Sequence, residues 1–254
     1  MKDATGLKRY FIHLAFDGTP FHGWQLQRNA KSVQSELNAA LKILLREDVE
    51  TLGCGRTDTG VHALSFYAHF DFPFIENIDE LVYKLNAILP NEISIYSIFL
   101  VGNSDHARFS ATKRTYQYHI HSVKNPFVKN HSWYNQNIHS VDKLNEYVNV
   151  LKDYTDFTSF SKSNTQSFTN NCRIIDCYWE CKVSSELIFT ISADRFLRNM
   201  VRAIVGTFIK VSEKNLSEKE FRMILESKNR SEAGFSVPAH GLFLTNVEYP
   251  FQVS

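Results

Sequence analysis

Glu50-Thr51-Leu52-Gly53-Cys54, the loop GCGRTDTG over Gly53 to Gly60, and Leu64-Ser65-Phe66-Tyr67-Ala68-His69-Phe70-Asp71-Phe72 read as a short strand, a glycine-rich turn and a longer alternating strand. Upstream, Arg9 to Asp17 (RYFIHLAFD) alternates bulky β-formers with smaller or polar groups until Gly18, Thr19 and Pro20 end the run. Between these strands Val33, Leu37, Ala40, Leu41 and Leu44 recur at three and four, with Ser32 as N-cap and Glu36 in the first turn, which predicts a helix ending near Leu45. Downstream, helical spacing runs from Ile78 to Leu89, Pro90 and Asn91 stop it, and Ile93 to Val101 (ISIYSIFLV) is a strand. The order is β-α-β-β-α-β.

The second half repeats that order. Arg114 to Ser122 alternates as a strand and Val141 to Leu151 is helical. Ile174 to Val183 and Leu187 to Ala193 form a hairpin across Ser184-Ser185. Helices over Phe196 to Val211 and Ser217 to Ser227 precede a last strand from Leu242 to Tyr249. This predicts an α+β chain of two tandem ferredoxin-like (split βαβ) halves, residues 1–104 and 105–254, each an antiparallel sheet with helices on one face. The other sheet faces are left to pack together or to line a cleft.

With 254 residues, 43% hydrophobic, 22% charged and 13% aromatic, the chain is globular rather than disordered, collagenous or coiled-coil. Met1 to Arg9 lacks the apolar run of a signal peptide, charges interrupt every stretch long enough to span a bilayer, and no membrane association is expected. Four cysteines, Cys54, Cys172, Cys177 and Cys181, are too few and too uneven for a disulfide framework, so a reducing cytoplasm is the expected compartment.

Twenty-eight basic residues against 27 acidic ones leave a formal charge of +1, which gives no whole-chain footprint of nucleic acid. The distribution is less even. Arg108, Lys113, Arg114, Lys124 and Lys129 face only Asp105 between 105 and 130, and Arg195, Arg198, Arg202 and Lys210 face only Asp194 between 194 and 210. These runs are either scattered solvated faces or the two walls of a positive cleft.

The stretch Gly53 to His62 places three of the ten glycines within eight residues and projects Arg56 and Asp58 from one short loop between strands. Asp58 is there either as a turn residue or as a working carboxylate. The Gly-Lys-Ser/Thr ending of a phosphate loop is absent. His119 and His121 share a strand face and suggest a metal-dependent hydrolase as a rival reading, but no tight Cys-x-x-Cys pair accompanies them, and no metal is expected. From His106 to Tyr118 basic and aromatic residues interleave, as on surfaces that hold phosphates and stack bases. Arg198 and Arg202, four apart on the expected helix, would project from one face.

Taken in order, these stretches resemble the TruA-type tRNA pseudouridine synthases over nearly the whole chain. The pattern is carried by Asp17-Gly18-Thr19, Gly23-Trp24-Gln25 with Gln27, Gly55-Arg56-Thr57-Asp58 with Gly60-Val61-His62-Ala63, and Leu89-Pro90. It continues in His106 to Ser110 with Arg114, Tyr116 and Tyr118, Asp156-Phe157 with Ser159-Phe160, Met200-Val201-Arg202 with Ile204-Val205-Gly206, and Gly241-Leu242.

The resemblance implies isomerisation of uridine to pseudouridine in the anticodon stem-loop of tRNA, at family positions 38, 39 and 40, by a homodimer that needs no cofactor. By family position Asp58 is the catalytic aspartate, acting as nucleophile at ribose C1′ or assisting a glycal route. Arg202 is its ion-pair partner, which places the active-site cleft between the halves, since a carboxylate taken from water stays ionised only beside a cation. Tyr116 packs against the target base, and Arg56, Arg108 and Arg114 hold phosphates or displaced nucleotides. The alternative is a catalytically silent tRNA-binding protein of the same fold. The chain departs from the family pattern at Thr59, where alanine commonly follows the aspartate, and at Phe16, where a tyrosine commonly precedes Asp17-Gly18.

Overall fold

The computed structural model describes residues 6–137, 140–161, 168–183 and 186–251. It is a mixed α/β chain dividing into two compact units, Met1–Thr112 with Leu244–Ser254, and Lys113–Phe243. The hairpin turn expected at Ser184-Ser185 lies outside the described residues.

The first unit contains β1 (Lys8–Phe16), α1 (Val33–Leu45), β2 (Leu52–Gly53), β3 (His62–Phe72), α2 (Ile78–Ile88) and β4 (Ile93–Val101). β1 pairs antiparallel with β3 and with β4, and β2 pairs antiparallel with β3, so the strands run in the order 4-1-3-2. α1 starts where its cap predicts. The Ser32 hydroxyl accepts from Ser35 N–H at 3.2 Å, while Ser35 Oγ accepts from Ser32 N–H at 3.0 Å, closing a capping box with serine in place of the usual acid. Asn77 caps α2 by accepting from Glu80 N–H at 3.0 Å.

Both faces of β1 are covered. Tyr10, Ile12 and Leu14 are buried on one side, and Phe11, fully buried on the other, meets Tyr249 and Phe251 edge-on at 5.4 and 5.7 Å. Those two partly buried rings tie the C-terminal segment to the first unit. The stretch 105–112 also stays with this unit. Arg9 Nη1 donates to Asp105 O at 2.8 Å, and the Tyr249 hydroxyl donates to Ala107 O at 2.7 Å.

The second unit contains β5 (Lys113–His121), β6 (Trp133–Tyr134), α3 (Val141–Lys152), β7 (Ile174–Val183), β8 (Glu186–Ala193), α4 (Met200–Glu213), α5 (Glu218–Glu226) and the start of β9 (Leu242–Glu248). Here the strand order is β9-β5-β8-β7, with the two-residue β6 pairing parallel to β5 off this path. A line of aromatic rings fixes the helices to the sheet. Trp179 lies 5.0 Å from Phe189, Phe189 5.4 Å from Phe208, Phe208 5.7 Å from Phe221 and Phe221 5.5 Å from Tyr147. These rings come from β7, β8, α4, α5 and α3 in turn, so the middle of α4 is held against the sheet.

One helix differs from expectation. The run predicted from Phe196 is helical only from Met200, because Asn199 takes a left-handed conformation with φ 68° and breaks the backbone there. Arg198 therefore precedes α4 in a loop, and the face that it was expected to share with Arg202 does not exist. No disulfide joins any of the four cysteines, and burial pushes the Cys172 and Cys177 thiols up to about 12, which makes them inert packing groups. Among the described residues no helix is long and apolar enough to cross a membrane.

Candidate active site

In the first unit the loop between β2 and β3 is braced from below by the segment that follows β1. Gly23, at φ 82°, lies so near this loop that a Cβ on it would overlap the Thr57 carbonyl oxygen and stand 3.2 Å from the carbonyl carbon of Asp58. No other residue type fits there without moving the backbone that carries Asp58. The neighbouring Trp24 ring stacks on Phe66 of β3 at 4.2 Å, which anchors the brace in the core. Cys54 N–H donates to Tyr67 O at 2.7 Å, Val61 N–H to Asp58 O at 3.1 Å and Gly60 N–H to Phe21 O at 3.4 Å. The turn is thus closed through the backbone of Asp58.

Asp58 is partly exposed, Arg56 and Thr59 are exposed, and Arg56 Nε donates to Gln25 Oε1 at 3.1 Å. The Thr57 hydroxyl is buried with no hydrogen-bond partner among the described residues. At the end of the loop the buried His62 accepts the Gly18 N–H on Nδ1 at 3.0 Å. A nitrogen that accepts this permanent donor carries a lone pair, so the ring is neutral with its proton on Nε2. The 3.1 Å approach of Asp17 Oδ1 to the same nitrogen is then no ion pair, and that oxygen is satisfied by Thr19 N–H at 2.9 Å and the Thr19 hydroxyl at 2.6 Å.

Arg108 is exposed on the loop between β4 and β5, with its guanidinium carbon 5.4 Å from the centroid of the Phe109 ring. The first unit therefore carries Arg56 and Asp58 side by side and Arg108 on a separate loop.

In the second unit Arg114 and Tyr116 lie on β5. Arg114 is 9% exposed and donates through Nη1 to Asp194 O at 3.0 Å, so part of its guanidinium serves to hold the loop after β8. Tyr116 is partly exposed and meets Phe196 of that loop edge-on at 5.1 Å. Arg202 is the third residue of α4. Its Nε donates to Val237 O at 2.7 Å while Val237 N–H donates back to Arg202 O at 3.3 Å.

The segment carrying Val237 lies against α4 because Gly206 leaves room for it. A Cβ on Gly206 would overlap the Phe235 carbonyl oxygen and stand 3.4 Å from the Val237 side chain. Next along, the Tyr118 hydroxyl donates to Pro238 O at 2.8 Å. Burial pushes the Tyr118 hydroxyl well above the usual phenol range, while the Arg202 charge acts in the opposite direction, so it stays a neutral donor. Asn199 adds a hydrogen bond from Nδ2 to Ser236 Oγ. The second unit thus brings Tyr118 and Arg202 together around one strap, 236–238, whose function was missed in the sequence. Nothing in Ser236-Val237-Pro238 marks it in the sequence, since its carbonyls gain partners only from α4 and β5.

The pair proposed as metal ligands is otherwise engaged. His121 Nδ1 is 2.9 Å from Ser132 Oγ, and the His119 ring lies edge-on to Phe243 at 5.0 Å.

Comparison with known proteins identifies the family. Residues 154–250 match the family profile described as tRNA pseudouridine synthase. The chain is 48% identical over 250 residues to tRNA pseudouridine synthase A of Bacteroides fragilis, covering 97% of this chain and 98% of that one. It is 48% identical over 249 residues to the protein of that name from Parabacteroides distasonis, covering 96% and 97%, and 34% identical over 247 residues to that from Francisella philomiragia, covering 96% and 95%. Identity of this extent, over nearly the full length of both chains, shows that the chain belongs to the tRNA pseudouridine synthase A family.

Proposed function

We propose that this isomerase converts uridine to pseudouridine in the anticodon stem-loop of tRNA, with Asp58 as the nucleophile. In the net reaction the bond from ribose C1′ to base N1 breaks, the uracil turns while bound, and C5 joins C1′. N1 gains a proton and C5 loses one. The carboxylate of Asp58 either bonds C1′ or meets the positive charge that develops on the sugar.

The observation that carries this reading is the brace under Asp58. Gly23 meets the Thr57 and Asp58 backbone, and Gly60 and Val61 close the turn, so a partly exposed carboxylate is held on a backbone with little freedom to move. That is the preorganisation a nucleophile needs. Arg202 is the second catalytic residue of this reading, with its guanidinium oriented by the Val237 carbonyl. Tyr116 packs against the target base, which must leave its stack to be reached. Arg56 and Arg108 hold phosphates, and Arg114 acts by holding the loop that presents Phe196, Arg195 and Arg198.

The order β4-β1-β3-β2 in the first unit and β9-β5-β8-β7 in the second supports two ferredoxin-like halves, and the enzyme works as a homodimer on tRNA in the cytoplasm. The test is incubation of the purified protein with an anticodon-arm transcript bearing uridine at each candidate position, followed by detection of pseudouridine. Product confined to the arm supports the reading, and binding without product overturns it in favour of a silent RNA-binding protein.

A further inference from the structure

Phe109 is 74% exposed, yet the turn that carries it is tied by a network of hydrogen bonds. His106 Nδ1 accepts from Arg108 N–H at 3.0 Å and from Phe109 N–H at 3.4 Å, Ser110 N–H donates to His106 O at 2.9 Å, and His106 N–H donates to Ser110 Oγ at 2.9 Å. Below the turn His69, 2% exposed, accepts from Ala107 N–H at 3.2 Å and meets the His106 ring edge-on at 4.4 Å. Arg9, paired to Asp71 through two bonds of 2.8 Å, holds the Asp105 carbonyl with its remaining arm.

This network fixes a large apolar ring in water, where it buries little of its own surface. The ring packs on His106 at 4.4 Å and 42°, and the Arg108 guanidinium lies over it. An exposed aromatic face beside a cation, on a backbone already ordered, has the chemistry that receives a nucleobase. The π face stacks on the base, the guanidinium meets the adjoining phosphate, and little loop entropy is lost on binding.

We propose that Phe109, with Arg108 beside its ring, is a stacking platform for an unpaired base of the RNA substrate. The proposal rests on the reading of the chain as a tRNA-modifying enzyme and adds to it a contact that none of the basic residues supplies. The stacking part is insensitive to salt, and the Arg108 part is not.

The experiment measures the dissociation constant of an anticodon-arm transcript, and KM and kcat for pseudouridine formation, for Phe109→Ala, Phe109→Leu, Phe109→Trp and Arg108→Ala. Phe109→Ala and Phe109→Leu are expected to weaken binding roughly tenfold to a hundredfold. The loss falls on KM more than on kcat, and the slope of affinity against salt stays as it was. Phe109→Trp restores binding, and Arg108→Ala lowers the salt slope by about one. Binding by Phe109→Leu equal to that of the unmutated protein would show that apolar bulk suffices and would overturn the platform, as would an unchanged dissociation constant for Phe109→Ala. Binding that depends on Phe109 in a protein that forms no pseudouridine would leave the platform standing while refuting the proposed reaction.

Discussion

Gly23 and Thr57 meet backbone to backbone, close enough that a Cβ on Gly23 would overlap the Thr57 carbonyl oxygen. A chain segment following β1 thereby sets the height of the loop that presents Asp58. Gly23→Ala faces both this overlap and a backbone at φ 82° that suits glycine. It is expected to destabilise the protein by more than about 2 kcal/mol. At temperatures where the variant remains folded, a displaced Asp58 should lower kcat on the order of a hundredfold. Urea unfolding followed by single-turnover kinetics separates the two effects.

Arg202→Lys keeps the charge and loses the planar guanidinium whose Nε holds the Val237 carbonyl at 2.7 Å. A lysine ammonium reaches either the strap or a carboxylate as a point charge and lacks the fork that orients an arginine for both. Turnover is expected to fall roughly tenfold to a hundredfold, with the RNA dissociation constant changed far less. Equal activity of the two proteins would show that charge alone is required at this position.

Removing the Tyr118 hydroxyl deprives the Pro238 carbonyl of a donor at 2.8 Å in a buried setting. Tyr118→Phe should therefore lower stability by roughly 1–3 kcal/mol, the cost of a carbonyl left without its partner. Because Tyr118 and Arg202 act on the same strap, a double variant should lose less than the sum of the two single losses. Denaturation of the four proteins under one condition measures this directly.

Acid sensitivity follows from His69. Burial, aided by the nearby charges of Arg9 and His106 and opposed by Asp71, lowers its pKa from 6.5 to about 4. Above the unfolded value both states hold the ring neutral, and its contribution to stability is fully present. As pH falls below 6.5 the unfolded chain binds a proton that the folded chain refuses until about pH 4, so stability is lost across that window. The loss from this group is on the order of 3 kcal/mol. Replacing His69 with Asn, which keeps an acceptor for the Ala107 N–H, should flatten that part of the stability profile.

Elements with a clear period and a cap were legible in the sequence. The helix after Ser32 and the one after Ser217 begin at their caps, and Ile93–Val101 is a strand over the whole expected range. What failed was local backbone geometry. Nothing in the apolar spacing of Phe196 to Val211 reveals that Asn199 turns left-handed, since Leu197 is buried as a helical residue would be. The two-residue strand Trp133–Tyr134 was missed because period two needs more than one repeat to be seen.

The candidate residues show the same division. Asp58, Arg56 and Tyr116 could be named from type and order, whereas the contacts that hold their loops belong to Gly23, Phe21 and Asp194, whose effect depends on where the chain returns in space. The Val237–Pro238 strap could not be anticipated for the same reason. It has no period of its own, and its carbonyls matter only once α4 and β5 are beside it.

The central claim is that the carboxylate of Asp58 performs the chemistry at C1′. Asp58→Asn preserves the size of the side chain and the backbone bond from Val61, and removes the charge and the nucleophile. Pseudouridine formation in an anticodon-arm transcript should drop by at least about a thousandfold while the dissociation constant for the RNA stays within about threefold. Turnover near that of the unmutated protein, with binding intact, would contradict the account.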